Sequence, residues 1–171
     1  HHGHVARLKA ALAALGIEPE RLEIVLMQLV RLVSGGEVVR MSKRTGKSIT
    51  LKDLLEDISI DAARFFFNMR QANSHFDFDL DLAVNESNSN PVYYVQYAYA
   101  RICSILRLLT EGGLKLQKFT DINTALLTAP QEIALLKRLA QMPEEIKIAA
   151  ESFDPSRITR YVIDVAADFH S

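Results

Sequence analysis

The residues with the most evident chemistry lie between positions 40 and 47. Arg40, Lys43, Arg44 and Lys47 place four cations within eight residues, among Ser42, Thr45 and Gly46. Basic side chains on a Gly- and Ser-containing loop can close over phosphates and offset charge on a leaving pyrophosphate. The plainer reading is a solvated basic turn. Gly46-Lys47-Ser48 looks like the end of a P-loop, but Met41 stands where that motif needs glycine. A second cluster, His1-His2-Gly3-His4, has no cysteine partners and no regular ligand spacing, so no metal site is assigned to it. A third is aromatic. Tyr94, Tyr97 and Arg101 fall at i, i+3 and i+7, on one side of a helical stretch. Such a face can stack bases and hold phosphates, although aromatic stripes at this spacing are commonly core. Arg157 and Arg160 lie off the apolar face of a later helix and join it as candidate RNA contacts.

The elements that would position these groups can be read from periodicity. Residues 5–15 read as a helix stopped by Gly16. Leu22–Val33 and Val38-Val39, around Gly35-Gly36, read as paired strands that deliver the chain into the basic loop. Thr50–Ile58 reads as a short helix with Thr50 as cap and Asp53 three residues on. Asp61–Arg70 reads as a second helix, and Phe76–Leu80 as a half-buried strand. The polar stretch 85–90 marks a domain boundary, dividing 1–89 from 90–171. Beyond it everything reads as helix. Asn90-Pro91 starts a long helix with a seam of Val92, Val95, Tyr99, Ile102, Leu106 and Leu109, ended by Gly112-Gly113. Gln131–Met142 and Glu144–Phe153 follow, and Asp154-Pro155 opens a last helix with Ile158, Tyr161, Val162, Val165 and Phe169 on one face.

Bulk composition narrows the class. At 49% apolar and 24% charged the chain reads as globular, and no apolar run approaches the roughly 20 residues of a membrane span. The net charge is −1, with 11 basic and 12 acidic residues up to position 89 and nine of each after it. Any RNA contact therefore rests on local patches. The lone Cys103 suits a reducing, cytosolic setting. The chain opens on His1 and stops at Ser171 while an apolar helical pattern is still running, which predicts a piece of something longer.

Arg40-Met41-Ser42-Lys43-Arg44 resembles the Lys-Met-Ser-Lys-Ser loop of class I aminoacyl-tRNA synthetases, with Arg40 and Arg44 as departures from it. The succession after it is similar to the arginyl-tRNA synthetase family: Asp53-Leu54-Leu55, Asp61 to Phe66, Phe76-Asp77-Phe78-Asp79, then Asn90-Pro91-Val92-Tyr93-Tyr94-Val95-Gln96-Tyr97-Ala98. Tyr99 falls where many members are expected to carry histidine. The resemblance implies a mainly α fold with a small α/β portion. That portion would be the C-terminal end of a Rossmann-type class I catalytic domain, followed by a truncated all-α anticodon-binding bundle. It also implies arginine and ATP as substrates, Mg2+ with the nucleotide, and tRNA as partner, in the cytoplasm. By matching position Lys43 would stabilise the phosphates, with Arg40 as helper. Met41, Ser42 and Arg44 would line the nucleotide site. His1, His2 and Gly3 resemble the end of a late catalytic-domain strand near the adenylate. A tag remnant, or the earlier His-x-Gly-His motif, are the other readings of that cluster. Two alternatives remain for the whole chain: a cysteinyl-type enzyme, and a non-catalytic helical module that binds RNA or protein.

Overall fold

The computed structural model describes residues 2–39, 50–115 and 117–171. The first helix, α1 (His2–Ala14), is rich in Ala and Leu. It ends where Gly16 takes φ +72°, letting the Ile17 N–H reach back to the Leu12 carbonyl at 2.9 Å. A 3-10 turn at Pro19–Arg21 follows and packs against it.

Strands β1 (Val30–Ser34) and β2 (Glu37–Val38) form an antiparallel hairpin, pairing Val33 with Val38 and Ser34 with Glu37. Its two-residue turn is Gly35-Gly36, with φ of 60° and 78°. A turn with both central residues at positive φ matches the twist of the strands, and glycine occupies it without steric cost. The expected strand from Leu22 is shorter than the sequence suggested. Residues 22–29 alternate, with Leu22, Ile24 and Leu26 half-buried and Val25 and Met27 exposed. The pattern is that of a strand, but among the described residues no strand runs beside it, so no ladder forms. Near its end the stretch is tied down at Gln28, whose N–H donates to the Ala72 carbonyl at 2.8 Å.

Helix α2 (Leu51–Asp57) carries the expected capping box: Thr50 Oγ1 accepts from the Asp53 N–H at 3.2 Å, and Asp53 Oδ2 accepts from the Thr50 N–H at 2.8 Å. Helix α3 (Ile60–Phe67) starts on Ser59 and stops three residues before the expected Arg70. There the Asn68 side chain donates to the Arg64 carbonyl at 2.7 Å, satisfying the helix end from within. Strand β3 (Phe76–Asp79) lies parallel to β1, Val30 opposite Phe76, giving the order β2-β1-β3. Its alternation is real. Phe78 is fully buried against Phe66, Phe67 and Phe76, with ring centroids 5.4, 5.0 and 5.9 Å away. Asp77 faces out and pairs with Arg31 across the strands at 2.6 Å. A five-residue helix, α4 (Leu80–Val84), follows at once, capped by Asp79. It is too short to show a helical period in sequence.

The polar stretch at 85–90 is anchored at its far end. Asn90 is 4% exposed, and its side-chain amide donates to the carbonyls of Asn85 at 2.8 Å and Ala83 at 3.3 Å. Its Oδ1 accepts from the Val92 N–H at 3.0 Å, capping α5 (Pro91–Glu111). Val92 then enters the same core as Leu54, Ile58, Ala62, Ala63, Phe66, Phe78 and Ala83. The remainder is helical: two 3-10 turns (Phe119–Asp121 and Thr124–Leu126), α6 (Pro130–Ala140), α7 (Met142–Glu151) and α8 (Ser156–His170). Helix α8 is the hub, touching α5, α6 and α7. No described helix is long and apolar enough to cross a membrane.

The face that α5 uses differs from the expected seam. Val92 is buried, but Tyr99 is 70% exposed, and Ile102 and Leu106 are about 40% exposed. Periodicity finds the apolar stripe but not its partner. Here α8 settles instead on the side carrying Tyr94, Tyr97 and Arg101.

Candidate functional site

Arg40, Met41, Ser42, Lys43, Arg44 and His1 lie outside the described residues. The elements on either side of the basic loop are clear. Val39 leaves the hairpin with its N–H on the Leu32 carbonyl at 2.8 Å, and Thr50 begins the capped α2. In the sequence, residues 40–49 join the hairpin to α2. His2 and Gly3 stand exposed in the first turn of α1, not at the end of a strand. The Ala- and Leu-rich sequence after them extends its helix back through these positions, and this corrects the strand-end placement.

The aromatic candidates do converge. Tyr94 and Tyr97 project from α5 onto His170 at the end of α8, with ring centroids 5.0 and 5.5 Å away; the Tyr97 and His170 planes are 25° apart. Tyr93 extends the group, its ring nearly parallel to that of Tyr97 at 6.3 Å. Arg101, one turn on from Tyr97, donates from Nη1 to His170 Nδ1 at 2.8 Å and lies 5.6 Å from the centre of the Phe169 ring. A guanidinium has no acceptor, so Nδ1 must be the unprotonated nitrogen and the imidazole proton sits on Nε2. That Nε2 is buried and has no hydrogen-bond partner among the described residues. The outer side of the cluster is open: Tyr97 is 44% exposed and Arg101 is exposed as well.

His170 was not among the residues singled out from the sequence. The only hint was its position directly after Phe169, at the edge of the apolar face of the last helix.

Arg157 and Arg160 sit elsewhere. Ten residues of helix separate Arg160 from His170, about 15 Å along the axis. Arg157 pairs through Nη2 with Glu145 of α7 at 2.7 Å, while its Nε is buried without a partner among the described residues. This contact ties α8 to α7, so Arg157, a candidate RNA contact from the sequence, is also paired within the fold. Arg160 stays exposed at a small pocket of about 180 Å3, lined also by Arg138, Gln141, Glu145, Tyr161 and Asp164. Arg138 is itself clasped by Asp168 at 2.8 Å and Asp164 at 3.3 Å, and Tyr161 donates to its carbonyl at 3.1 Å. The pocket is close to charge-balanced.

At the start of α8, Asp154 accepts from the Ser156 N–H at 3.1 Å and its hydroxyl at 2.6 Å, and from Gln71 at 2.9 Å. Burial pushes the Asp154 carboxyl up, but these hydrogen bonds, with the charge of Arg160, outweigh it and hold the group below the usual carboxylate range. Gln71 precedes the boundary and Asp154 follows it. Together with Thr159, whose hydroxyl donates to the Asn68 carbonyl at 3.0 Å, they fix α8 to the α/β part.

Comparison with known proteins agrees with this arrangement. Residues 95–171 match the DALR anticodon binding domain family. The whole chain is 62% identical to the arginine–tRNA ligase of Caldanaerobacter subterraneus subsp. tengcongensis and 60% identical to that of Acetivibrio thermocellus, in each case over 171 residues and 30% of the relative's length. Among solved structures, one described as an arginyl tRNA synthetase of Campylobacter jejuni superposes with a TM-score of 0.81 at 31% identity, over 99% of this chain and 36% of that one. The Thermus thermophilus arginyl-tRNA synthetase gives 0.74 over 97% of this chain and 30% of that one; at 24% identity it shows the shared fold alone. The chain spans about 30% of the length of the curated relatives it matches. It belongs, along all of that span, to the arginyl-tRNA synthetase family.

Proposed function

We propose that the chain is part of an ATP-dependent ligase that joins arginine to tRNA in the cytoplasm. The whole ligase activates arginine with ATP, which brings Mg2+, to arginyl-adenylate, and then passes the acyl group to the 3′ end of tRNA. Residues 1–89 are the end of its Rossmann-type catalytic domain, and residues 90–171 are part of its anticodon-binding bundle. In this reading Lys43, helped by Arg40, balances charge on the phosphates, while Met41, Ser42, Arg44 and the His1–Gly3 segment border the nucleotide. Tyr94, Tyr97, Arg101 and Arg160 face tRNA, whereas Arg157 acts mainly as a brace between α7 and α8.

The observation that carries this reading is 62% identity to an arginine–tRNA ligase along every residue of the chain. Two features of the fold support it. The strand-like but unladdered stretch 22–29 is suited to join a larger sheet, as a Rossmann-type domain requires. The cluster at the α5–α8 contact combines an exposed tyrosine ring with an exposed guanidinium, the pair that single-stranded RNA recognition uses. A stretch amounting to 30% of such a ligase is expected to catalyse neither step by itself.

The test is ATP–pyrophosphate exchange by the full-length protein in the presence of tRNA, run with each amino acid in turn. Exchange with arginine alone is expected. Exchange with cysteine would identify the cysteinyl-type enzyme instead, and no exchange with any amino acid would leave the non-catalytic helical module.

A further inference from the structure

We infer that His170 is a positioning residue for the RNA-facing cluster: by accepting from Arg101 through Nδ1, it holds that guanidinium beside the exposed Tyr97 ring, ready for a phosphate and an unpaired base. The inference rests on the tRNA reading of this face and adds a residue to which that reading gave no role.

An exposed arginine samples many rotamers, and a ligand that needs one of them must freeze the side chain as it binds. Two contacts from α8 restrain Arg101 in advance, the hydrogen bond to His170 at 2.8 Å and the Phe169 ring at 5.6 Å. Of the five N–H donors of a guanidinium, the bond to His170 uses one, and the exposed position of the residue leaves others for a phosphate. His170 is itself oriented by Tyr94 and Tyr97, whose rings lie 5.0 and 5.5 Å from its own. The same imidazole therefore touches both members of the proposed RNA contact. The bond requires Nδ1 to be the acceptor and Nε2 the protonated nitrogen, and Nε2–H is buried with no partner among the described residues. Leaving a buried donor unmatched is unfavourable. The orientation that leaves Nε2–H unmatched is the one that presents Nδ1 to Arg101, which points to the Arg101 bond as the reason for a histidine here.

Three variants of the full-length protein separate the roles, read as the dissociation constant for tRNA at one fixed salt concentration. Arg101→Ala is expected to weaken binding about tenfold, the low end for a hydrogen bond to a charged group. His170→Phe keeps a ring between the tyrosines but has no acceptor, and is expected to weaken binding about fivefold. His170→Asn puts an amide oxygen close to the place of Nδ1 and is expected to stay within about twofold of native. Combining His170→Phe with Arg101→Ala should be no worse than Arg101→Ala alone, because both remove one interaction. The inference is overturned if Arg101→Ala weakens binding while His170→Phe does not, if His170→Asn fails as badly as His170→Phe, or if the double variant is additive. Unchanged affinity in both Arg101→Ala and Tyr97→Ala would be a different result: the RNA reading of this face would fall, and the role of His170 with it.

Discussion

Replacing Asn90 with alanine probes the joint between the α/β part and the helices. The side chain acts in two directions. Its Oδ1 caps α5 by accepting from the Val92 N–H at 3.0 Å, with the Tyr93 N–H a longer contact at 3.5 Å. Its amide donates to the carbonyls of Asn85 and Ala83, at 2.8 and 3.3 Å. Loss of an N-cap costs about 1 kcal/mol. Removing the donors to the two carbonyls, at a position only 4% exposed, costs about another 1–3 kcal/mol. The sum is about 2–4 kcal/mol, a fall in Tm of roughly 4–16 °C for a chain of this size. Asn90→Asp divides the two parts. Its carboxylate still caps and suits the positive end of the helix, but it cannot donate and turns an oxygen toward the two carbonyls, so at least the about 1–3 kcal/mol of the donor part is expected to be lost. Urea unfolding of the chain followed by far-UV circular dichroism would measure both variants. A loss below about 0.5 kcal/mol for Asn90→Ala would mean that water serves these carbonyls, and the reasoning that makes Asn90 the anchor of the joint would be wrong.

Phe78→Ala should destabilise the chain by about 3–5 kcal/mol in the same assay, because the ring is fully buried among three other phenylalanines. A loss under about 1 kcal/mol would place the core elsewhere. Asp154 titrates lower in the folded chain than in the unfolded one, so its contribution is present above its unfolded pKa and disappears as the pH falls through its folded value, below about pH 4. Asp154→Asn should therefore be less stable than the native chain at neutral pH, with the gap closing in acid; a gap independent of pH would refute that assignment.

Where structure is decided within a few residues, the sequence was sufficient. Thr50 and Asp53 form their reciprocal cap, Gly35-Gly36 makes the hairpin turn, and Asn90-Pro91 starts α5, because each depends on groups a few bonds apart. What the sequence could not show depends on distant partners. The apolar stripe of α5 was visible, but α8 packs beside Tyr94 and Tyr97, so Tyr99 is left outside. Residues 22–29 alternate as a strand does, yet pairing needs a neighbour that the periodicity of one segment cannot supply. In the candidate site, the shared face of Tyr94, Tyr97 and Arg101 followed from spacing alone. The pairing of Arg157 with Glu145 and the meeting of Arg101 with His170 did not, since each joins residues of different helices. The basic segment 40–44 stands out for another reason, its resemblance in residue types and order to a phosphate-handling motif, and it lies outside the described residues.

Transfer of labelled arginine to tRNA by the full-length protein, native against Lys43→Ala, tests the central claim most directly. Native protein should charge tRNA with arginine and with no other amino acid, and the variant should be slower by about 100- to 1,000-fold, the scale of losing one preorganised charge contact. Undiminished turnover in the variant, or charging with a different amino acid, would contradict the account.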